Sequence, residues 1–431
     1  MLMATRQAQR STIGISSVRS LRVQTIVALI LAIILPALVY FEGNTVQIVR
    51  SHTAFNTLLG ASIATFAAYF MADRVTAFPG KGQLSYILPT YGISYALVAA
   101  VILLGRIPYS AGILLINFAA TTGVQILVSA VAERQIGYRV FVAPGGRVEQ
   151  LEAVDGLDTT LLTSASVPRS KRAILVADLH FDHSDEWERA IAEATLHGIP
   201  VYHYKQVLET LTGKVRIEHM SENTFGSLLP SLNYARTKRA ADIILTLLIL
   251  PILALPMALV ALAIRLESSG PAFFLQLRMG HRGVPFKVIK FRTMRCEDPT
   301  KKADARDAAM TKKDDDRITR LGRFLRRSRI DELPQLINVL KGEMSWIGPR
   351  PEAIALSEWY ESELPFYSYR HIVRPGITGW AQVNQGHVTN LDDISAKLQY
   401  DFFYIKNFSY WLDLLIVFRT VLVMLNGYGA K

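Results

Sequence analysis

The chain has 431 residues, half of them hydrophobic, and a mean hydropathy of +0.24, which indicates a membrane protein of two or three domains. Its single cysteine, Cys296, excludes an intramolecular disulfide and a cysteine-based zinc site. The net charge is +11, and residues 265–329 alone hold 18 Lys or Arg against 8 Asp or Glu. Such a basic block beside apolar segments indicates anionic lipid or a polyphosphorylated small molecule as partner, and no nucleic-acid-binding motif accompanies it.

The first third of the chain predicts four membrane-spanning helices. Residues 1–22 carry arginines without acids and predict a cytoplasmic tail rather than a signal peptide, since no cleavage site follows the first apolar run. Within residues 23–133, four apolar segments are each about long enough to cross a ~30 Å hydrocarbon core. They are Thr25–Phe41, Phe55–Ala72, Leu84–Gly105 and Ala111–Ala132. The flanking arginines place both ends of this unit in the cytoplasm by the positive-inside rule.

Residues 134–235 predict a small α/β module. Strands are expected at Tyr138–Ala143, Ala173–Ala177 and Ile199–His203, with a helix over Glu186–His197. This alternation indicates a parallel sheet with crossovers. The turn at residues 144–147, PGGR, lacks the spaced glycines of a dinucleotide site. A polar loop explains residues 178–185, DLHFDHSD, as well as a metal site does. A structural or regulatory role is therefore favoured over nucleotide or metal binding.

Residues 236–431 begin with a second kind of membrane segment. The 25 residues from 240 to 264 are almost entirely apolar and predict a helix in the membrane. A full crossing would put the basic block after Arg265 outside, against the positive-inside rule. Pro251 and Pro256 also interrupt helical hydrogen bonding in mid-segment. Both observations favour a re-entrant helix that enters the cytoplasmic leaflet, turns at a proline and returns to the same face.

A β-hairpin with a basic face is predicted next. The alternating residues are Phe274, Gln276 and Arg278 on one strand and Phe286, Val288, Lys290 and Arg292 on the other. A turn at Gly280–Gly283 joins the two strands. Arg278, Lys290 and Arg292 thereby become candidate ligands of substrate phosphate. Residues 297–316 are charged and aperiodic, and they predict a mobile loop over a site.

The C-terminal segments offer further candidate contacts. Residues 373–386, VRPGITGWAQVNQG, contain four side chains that are either nucleotide or sugar contacts or structural residues. These are Arg374, Trp380, Gln382 and Asn384. The last apolar helix, Tyr410–Leu425, includes Asp413 and Arg419 and is therefore predicted to lie in the membrane interface.

The stretch from Arg323 to Pro351 holds the candidate site. Pro334 predicts a helix that begins near Asp331 or Glu332, with Asp331 as N-cap, and ends at Lys341-Gly342. Its predicted buried stripe consists of Leu333, Leu336, Ile337 and Leu340. The acidic pair would then lie at the positive end of a helix, where a carboxylate stays ionised and phosphate also binds. Asp331 is either a nucleophile or only a capping residue.

Arginines around the acidic pair favour a phosphate site. Those that precede it are Arg317, Arg320, Arg323, Arg326, Arg327 and Arg329. Arg350 follows in a turn stiffened by Pro349 and Pro351. Arginine suits bidentate phosphate contact, although Arg320, Arg323 and Arg327 share a helical face that could instead lie on anionic lipid. We predict Arg350 and Arg329 as further ligands of substrate phosphate.

Several motifs from about Lys238 onward resemble the bacterial sugar transferases, the monotopic phosphoglycosyl transferases that act on polyprenyl phosphate. They are KR-x-x-D at 238–242, GPAFFLQLRMG at 270–280, KFRTM at 290–294, R-x-DELPQLINVLKGEMSWIGPRPE from Arg329, and VRPGITGWAQVN from Val373. The preceding parts resemble the large-architecture branch. That resemblance implies an α plus α/β membrane protein with a four-helix transmembrane unit, a degenerate Rossmann-like cytosolic module and a catalytic domain with a re-entrant helix.

The resemblance also implies a reaction and site roles. Asp331 would attack the sugar-linked phosphorus of a UDP-sugar and release UMP, and undecaprenyl phosphate would then accept the hexose-1-phosphate. Glu332 would help Asp331 to bind Mg²⁺ or would manage protons, and Arg350 would hold phosphate. Pro349, Pro351, Pro256 and Gln382 would shape the site, although Leu255 replaces the serine that the family has before Pro256.

The implied setting is the cytoplasmic face of a bacterial inner membrane, at the start of exopolysaccharide, capsule or O-antigen synthesis. The sequence does not determine the oligomeric state, although the middle module could support a homodimer. Two alternatives stay open on the residues alone. One is a non-catalytic membrane scaffold docked on anionic lipid, and the other is a membrane-anchored nucleic-acid binder. The Asp331-Glu332 pair beside Pro334 and Arg350 argues against the scaffold, because docking on lipid needs none of them.

Overall fold

The computed structural model describes residues 25–41, 43–44, 46, 50–75, 84–135, 139–154, 157–168, 173–217, 230–295, 317–385 and 390–426. The predicted tail at 1–22, the predicted loop at 297–316 and Cys296 lie outside these residues. The chain divides into two compact units, one ending at Thr212 and the other beginning at Gly213.

The first unit opens with the predicted apolar helices. They are α1 (Thr25–Tyr40), α2 (His52–Val75), α3 (Leu84–Leu104) and α4 (Ala111–Gln135). By length and composition α2, α3 and α4 are each able to cross a membrane, whereas α1 is shorter. Their core places small alanines of α2 against Tyr91 and Tyr95 of α3. The Tyr95 hydroxyl lies 2.8 Å from the Thr65 hydroxyl and 3.2 Å from that of Thr121, so uncharged polar groups link the three helices.

The rest of the first unit is an α/β module. Its strands are β1 (Arg139–Val142), β2 (Thr159–Leu161), β3 (Ala173–Ala177) and β4 (Val201–His203). They form one sheet in the order β2-β1-β3-β4, and each described pairing is parallel, as the sequence alternation predicts. Two helices, α5 (Asp185–Leu196) and α6 (Tyr204–Thr212), accompany the sheet. All five residues of β3 are buried because apolar side chains cover both faces of this central strand.

The second unit begins with the long helix α7 (Leu232–Glu267), whose 36 residues include both Pro251 and Pro256. The hairpin of β5 (Phe273–Met279) and β6 (Pro285–Phe291) follows, and its antiparallel pairing confirms the predicted strands and turn. Phe274 pairs with Lys290, and Arg278 pairs with Phe286. Arg278 and Lys290 therefore share one face, as predicted from the alternation.

The remaining elements build the body of the second unit. They are α8 (Arg320–Arg327), α9 (Gln335–Lys341), β7 (Ser345–Ile347), α10 (Ile354–Glu363), β8 (Gly376–Thr378), α11 (Trp380–Asn384), α12 (Leu391–Lys406) and α13 (Tyr410–Asn426). Strands β7 and β8 pair in parallel. A hydrophobic cluster of Phe286, Val288, Val339 and Met344 joins β6 to α9 and the start of β7.

The prediction of Asp331 as an N-cap is wrong. Residues Ile330–Glu332 form a separate 3-10 turn, and α9 begins only at Gln335 with Pro334 as its N-cap. Proline has no N–H, so it loses nothing at a helix start. The C-terminal end agrees with the prediction, because Gly342 adopts the left-handed conformation at φ 86° and stops the helix.

The buried face of α9 also differs from the predicted stripe. Leu336 and Val339 are buried together with Gln335 and Asn338, while Leu333, Ile337 and Leu340 are only half-buried. The Asn338 amide accepts from the Ile289 N–H at 3.1 Å and donates to the Lys287 carbonyl at 2.8 Å. This polar side chain is buried because it hydrogen-bonds to the backbone of β6, and it thereby ties α9 to the hairpin.

Helix α13 holds its two charges inside the unit. The Asp413 carboxylate accepts from Lys238 Nζ at 2.5 Å and from the Tyr404 hydroxyl at 2.8 Å. The Arg419 guanidinium lies 4.7 Å from the centroid of the Trp380 ring and donates to Asn384. Because both charges have protein partners, they give no evidence on where α13 lies relative to a membrane.

Candidate active site

The two adjacent carboxylates, Asp331 and Glu332, are both buried in the 3-10 turn between α8 and α9. Arg329 precedes the turn with φ 60°, a left-handed conformation that reverses the chain after α8. The turn lies against β6, so the acidic pair faces a strand that carries Lys290. A local reversal thus brings a helix end, two acids and a basic strand together.

Glu332 is neutralised by two basic side chains. One carboxylate oxygen, Oε1, accepts from Lys290 Nζ at 3.0 Å and from Arg350 Nη2 at 2.5 Å. Arg329 Nη1 lies 4.0 Å from the same oxygen. Burial alone would raise the pKa of Glu332, but Arg350 and Lys290 outweigh it and hold that pKa well below its usual range. Glu332 is therefore the fixed counter-ion of this cluster.

Asp331 has a different environment from its neighbour. Its Oδ1 is buried and, within the described part of the chain, has no hydrogen-bond partner. Burial and the adjacent Glu332 raise the pKa of Asp331. A buried carboxylate oxygen without a partner is costly unless a ligand or a reaction uses it. Of the two acids, Asp331 is thus the one with a carboxylate oxygen that no described group contacts by a hydrogen bond.

Lys290 supplies a titratable positive charge. Burial lowers the pKa of Lys290 to about 8. Glu332 raises this pKa and the nearby Arg350 lowers it, but burial has the largest effect. Its amine is thus largely protonated at neutral pH and loses its charge as the pH rises through about 8. Arg278 belongs to the same electrostatic cluster, because Arg350 and Glu332 both influence its pKa, which burial lowers.

The turn Pro349–Glu352 fixes Arg350 through its own carbonyls. The Pro349 carbonyl accepts from the Gly376 N–H at 2.9 Å, and the Arg350 carbonyl accepts from Arg370 Nη2 at 2.9 Å. Arg278 Nη1 donates to the Pro351 carbonyl at 2.5 Å, and the Met279 N–H donates to the Glu352 carbonyl at 2.9 Å. Four consecutive carbonyls are thus bonded, which holds the backbone of the turn in one position.

A buried ionic layer beneath this turn was missed from the sequence. Arg370 donates to Asp401 Oδ2 through Nε at 3.0 Å and Nη2 at 2.7 Å, and Lys397 pairs with Glu352. Burial raises the pKa of Glu352, but Lys397 and Arg370 reverse this effect and depress the pKa. These partners lie 31 and 45 residues apart in the chain, so local spacing could not have revealed them.

Arg292 lies at the end of α7 instead of beside Glu332. Its guanidinium donates to the Ser269 carbonyl at 2.6 Å and to the Ser268 carbonyl at 2.7 Å. The strand β6 ends at Phe291, so Arg292 leaves the face that Lys290 occupies. The positive side chain satisfies carbonyls at a helix C-terminus, which is a structural task.

The predicted contacts in residues 373–386 also make bonds within the protein. Arg374 Nε donates to the Gly342 carbonyl at 3.0 Å, and Gln382 Nε2 donates to the Ile377 carbonyl at 3.2 Å. Trp380 Nε1 donates to the Gly213 carbonyl at 2.8 Å, and Asn384 Nδ2 donates to the Trp380 carbonyl at 2.8 Å. The structure therefore supports the structural interpretation of these four side chains.

Three groups of the α/β module lie close enough to hold a metal ion: Asp178, His180 and His203. His180 Nδ1 lies 2.7 Å from His203 Nε2. The Lys205 N–H donates to His203 Nδ1 at 3.2 Å, so the neutral ring carries its proton on Nε2, the atom that faces the cluster. A metal-bound histidine instead donates its other ring N–H to a partner. We interpret the cluster as a hydrogen-bonded histidine pair beside a carboxylate.

The residues present fit a divalent cation in part. Mg²⁺ prefers carboxylate oxygens, and the buried, unpartnered Oδ1 of Asp331 is such a donor. Glu332 already contacts Lys290 and Arg350 through both oxygens, so it would have to give up an ion pair in order to coordinate a metal. Asp331 is thus the better ligand of the predicted pair.

The described chain thus combines apolar helices able to cross a membrane with a buried cluster of acidic and basic side chains. Residues 233–427 match the sequence model of the family described as "Bacterial sugar transferase". The chain belongs to this family and is a transferase. It is 41% identical over 377 residues to the UDP-N-acetylgalactosamine-undecaprenyl-phosphate N-acetylgalactosaminephosphotransferase of Aeromonas hydrophila, covering 87% of this chain and 88% of that relative.

Other relatives match about half of the chain. A UDP-glucose:undecaprenyl-phosphate glucose-1-phosphate transferase of Caulobacter vibrioides is 44% identical over 207 residues, 48% of this chain and 76% of that protein. The protein of the same name from Escherichia coli is 45% identical over 186 residues, 43% of this chain and 39% of its own length. Asp331 and Glu332 lie within residues 233–427, the part of the chain that the family model matches.

Proposed function

We propose that this transferase moves a sugar-1-phosphate from a UDP-sugar to undecaprenyl phosphate through a covalent intermediate on Asp331. The observation that carries this proposal is the difference between two adjacent buried acids. Glu332 is ion-paired with Lys290 and Arg350, whereas Asp331 Oδ1 has no partner among the described residues. A free carboxylate beside fixed cations has the properties of a nucleophile that meets an anionic phosphorus centre.

The reaction proceeds by two displacements at one phosphorus atom. Asp331 attacks the phosphorus that bears the sugar, the bond from this phosphorus to the bridging oxygen breaks, and UMP leaves with that oxygen. An oxygen of undecaprenyl phosphate then attacks the same phosphorus, and the aspartyl–phosphate bond breaks. The lipid diphosphate sugar departs and Asp331 returns as a carboxylate. Each substrate thus uses the same small site in turn.

The basic side chains hold phosphate charge during both steps. Lys290, Arg350 and Arg278 carry three positive charges against the two negative charges of Glu332 and ionised Asp331, so the cluster retains attraction for an anion. Arg278 and the half-exposed Arg329 extend this field toward solvent. Mg²⁺ bound at Asp331 would further neutralise the diphosphate of the donor.

The first donors to test follow from the relatives. The relative that matches 87% of the chain is named for N-acetylgalactosamine, and two relatives that match about half of the chain are named for glucose. We therefore propose a panel that begins with UDP-N-acetylgalactosamine and UDP-glucose. The product would begin the assembly of a surface polysaccharide on the cytoplasmic face of the inner membrane.

We also propose that α7 is re-entrant, and two contacts support this proposal. Near its start, Arg239 Nη2 donates to the Leu340 carbonyl of α9 at 2.9 Å. Near its end, Ile264 packs with Phe291 of β6 and Leu325 of α8. Since Asn338 ties α9 to β6, both arms of α7 contact one compact body. A helix that crossed a ~30 Å core would carry its ends to opposite faces.

Topology mapping tests the re-entrant helix. Single cysteines would be placed at Leu232 and Pro271, just before and after the membrane segment, in a Cys296→Ser background. A membrane-impermeant maleimide should label both positions only from the cytoplasmic side. Labelling of the two positions from opposite sides would show that α7 crosses the bilayer.

The activity is tested with purified protein by measuring UMP release from the donor panel, with and without undecaprenyl phosphate. Asp331→Asn should abolish UMP release. A labelled sugar-phosphate should be trapped on the wild-type protein and should be absent from this variant. Asp392→Asn, which alters an exposed acid at the start of α12, is the matched control and should retain activity. Sustained turnover by Asp331→Asn would exclude the proposed nucleophile.

A further inference from the structure

Strand β5 carries an unusual row of exposed apolar side chains. Phe273, Phe274, Leu275 and Leu277 are each between 42 and 56% exposed. They occupy both faces of the strand, since successive side chains of a strand point to opposite sides. A hairpin with one face on a protein core and the other in water would alternate apolar and polar residues along this strand. An apolar cover is therefore expected on both sides of β5.

The outer edge of β5 is also largely open. Among the described residues, β6 is the only strand that pairs with β5. The other edge of β5 is bonded only near its end, where Arg278 forms a bridge with Ala353 and the Met279 N–H donates to the Glu352 carbonyl. An open apolar edge strand invites association and is normally protected by charge, proline or a covering element. Residues 273–277 of this strand carry neither charge nor proline.

Two features next to β5 indicate what covers it. Helix α7 presents an exposed stripe of Leu255, Leu259, Leu262 and Leu266 at helical spacing. This stripe ends seven positions before Phe273, and a short turn joins the two elements. The apolar surface of a membrane helix thus continues directly onto the edge strand.

The second feature is a basic border on α8. Phe324 is exposed there, between the exposed side chains of Arg320, Arg323 and Arg327. Leu325 of the same helix packs with Ile264 of α7 and Phe291 of β6, so α8 lies beside both elements. An apolar patch bordered by arginines matches the acyl region and the anionic headgroups of a bilayer surface.

We propose that the β5 edge is a membrane-docking surface that lies at the headgroup boundary of the same leaflet as the end of α7. The backbone at the α7–β5 turn suits this depth, because buried Arg292 satisfies the Ser268 and Ser269 carbonyls. The hairpin then sets the height of the active site. Phe274 pairs with Lys290, so an apolar anchor and a cation of the site lie side by side.

Fluorescence quenching in lipid nanodiscs tests this surface with the full chain. Leu275→Cys and Leu277→Cys, each in a Cys296→Ser background, would be labelled with the environment-sensitive dye NBD. Ser362→Cys on an exposed part of α10 is the aqueous control, and Leu255→Cys on the lipid-facing stripe of α7 is the membrane control. Gel filtration and the unfolding midpoint confirm that each labelled protein is folded.

Lipids that carry a nitroxide near the headgroup should quench the dye at residues 275 and 277 by about twofold or more and leave the dye at 362 unchanged. Aqueous iodide should show the reverse order. Quenching by iodide alone at 275 and 277 would overturn the proposal. Protection from both quenchers would also overturn it, because a protein partner such as a second copy would then cover the strand.

Discussion

Replacement of Glu332 by glutamine tests whether this residue acts as the counter-ion of the site. Glutamine preserves the shape of the side chain but removes the charge that Lys290 contacts at 3.0 Å and Arg350 at 2.5 Å. Two half-buried cations then lack their buried partner, and loss of one member of a buried ion pair costs about 3–5 kcal/mol. At roughly 2–4 °C per kcal/mol for a unit of this size, the unfolding midpoint should fall by about 6 °C or more.

The same substitution should change the pH dependence of catalysis. Glu332 is the group that most strongly raises the pKa of Lys290, which burial lowers to about 8. Without it the pKa of Lys290 falls further, and the amine loses its positive charge at a lower pH. UMP release should therefore decline at a lower pH in Glu332→Gln than in the wild type.

The assay combines thermal unfolding in detergent with UMP release measured across pH. Glu361→Gln, an exposed glutamate on α10, is the matched control and should leave both measurements unchanged. An unaltered midpoint and an unaltered alkaline limb in Glu332→Gln would refute the counter-ion role. If the only effect were a higher Mg²⁺ requirement, Glu332 would instead be a metal ligand.

Three further variants probe other parts of the molecule. Lys290→Arg should move the alkaline decline of UMP release above pH 8, because a guanidinium stays charged at a pH where the amine does not. If the decline stayed at the same pH, a group other than Lys290 would be responsible for it. Arg370→Lys should lower kcat about tenfold with little change in KM, since it weakens the bond to the Arg350 carbonyl; a pure KM effect would contradict this. Gly146→Ala should lower the unfolding midpoint of the α/β module more than Gly198→Ala does. Both glycines have positive φ, but only at Gly146 would the added methyl group contact a side chain, that of Asp178.

The hairpin could be predicted in detail because its signals are local. Alternating side chains, a glycine turn and two strands of equal length determine the β5–β6 register without long-range information. The same logic failed for Arg292, which continues the alternation of Lys290 in the sequence. The strand ends one residue earlier, at Phe291, and the carbonyls at the end of α7 bind the guanidinium instead.

The acidic pair was found from the sequence, but its environment was not. Pro334 indicated a helix start, although the chain inserts a separate turn before the helix, and Arg329 at positive φ sets that turn. The ion pairs that distinguish Glu332 from Asp331 come from residues 18 and 42 positions away in the chain. No local pattern encodes such distances, so the difference between the two acids became visible only in the three-dimensional structure.

The glycine turn after β1 has a consequence for the α/β module. Gly146 lies so close to Asp178 that a methyl group there would meet the carboxylate oxygen at 2.2 Å, and this oxygen accepts the Arg147 N–H at 3.1 Å. In dinucleotide-binding folds the backbone of this turn receives a phosphate. In this module the Asp178 carboxylate, which is part of the chain, takes that position. The backbone that receives a phosphate in such folds is thus already bonded to Asp178 in this module, which argues against nucleotide binding at this turn.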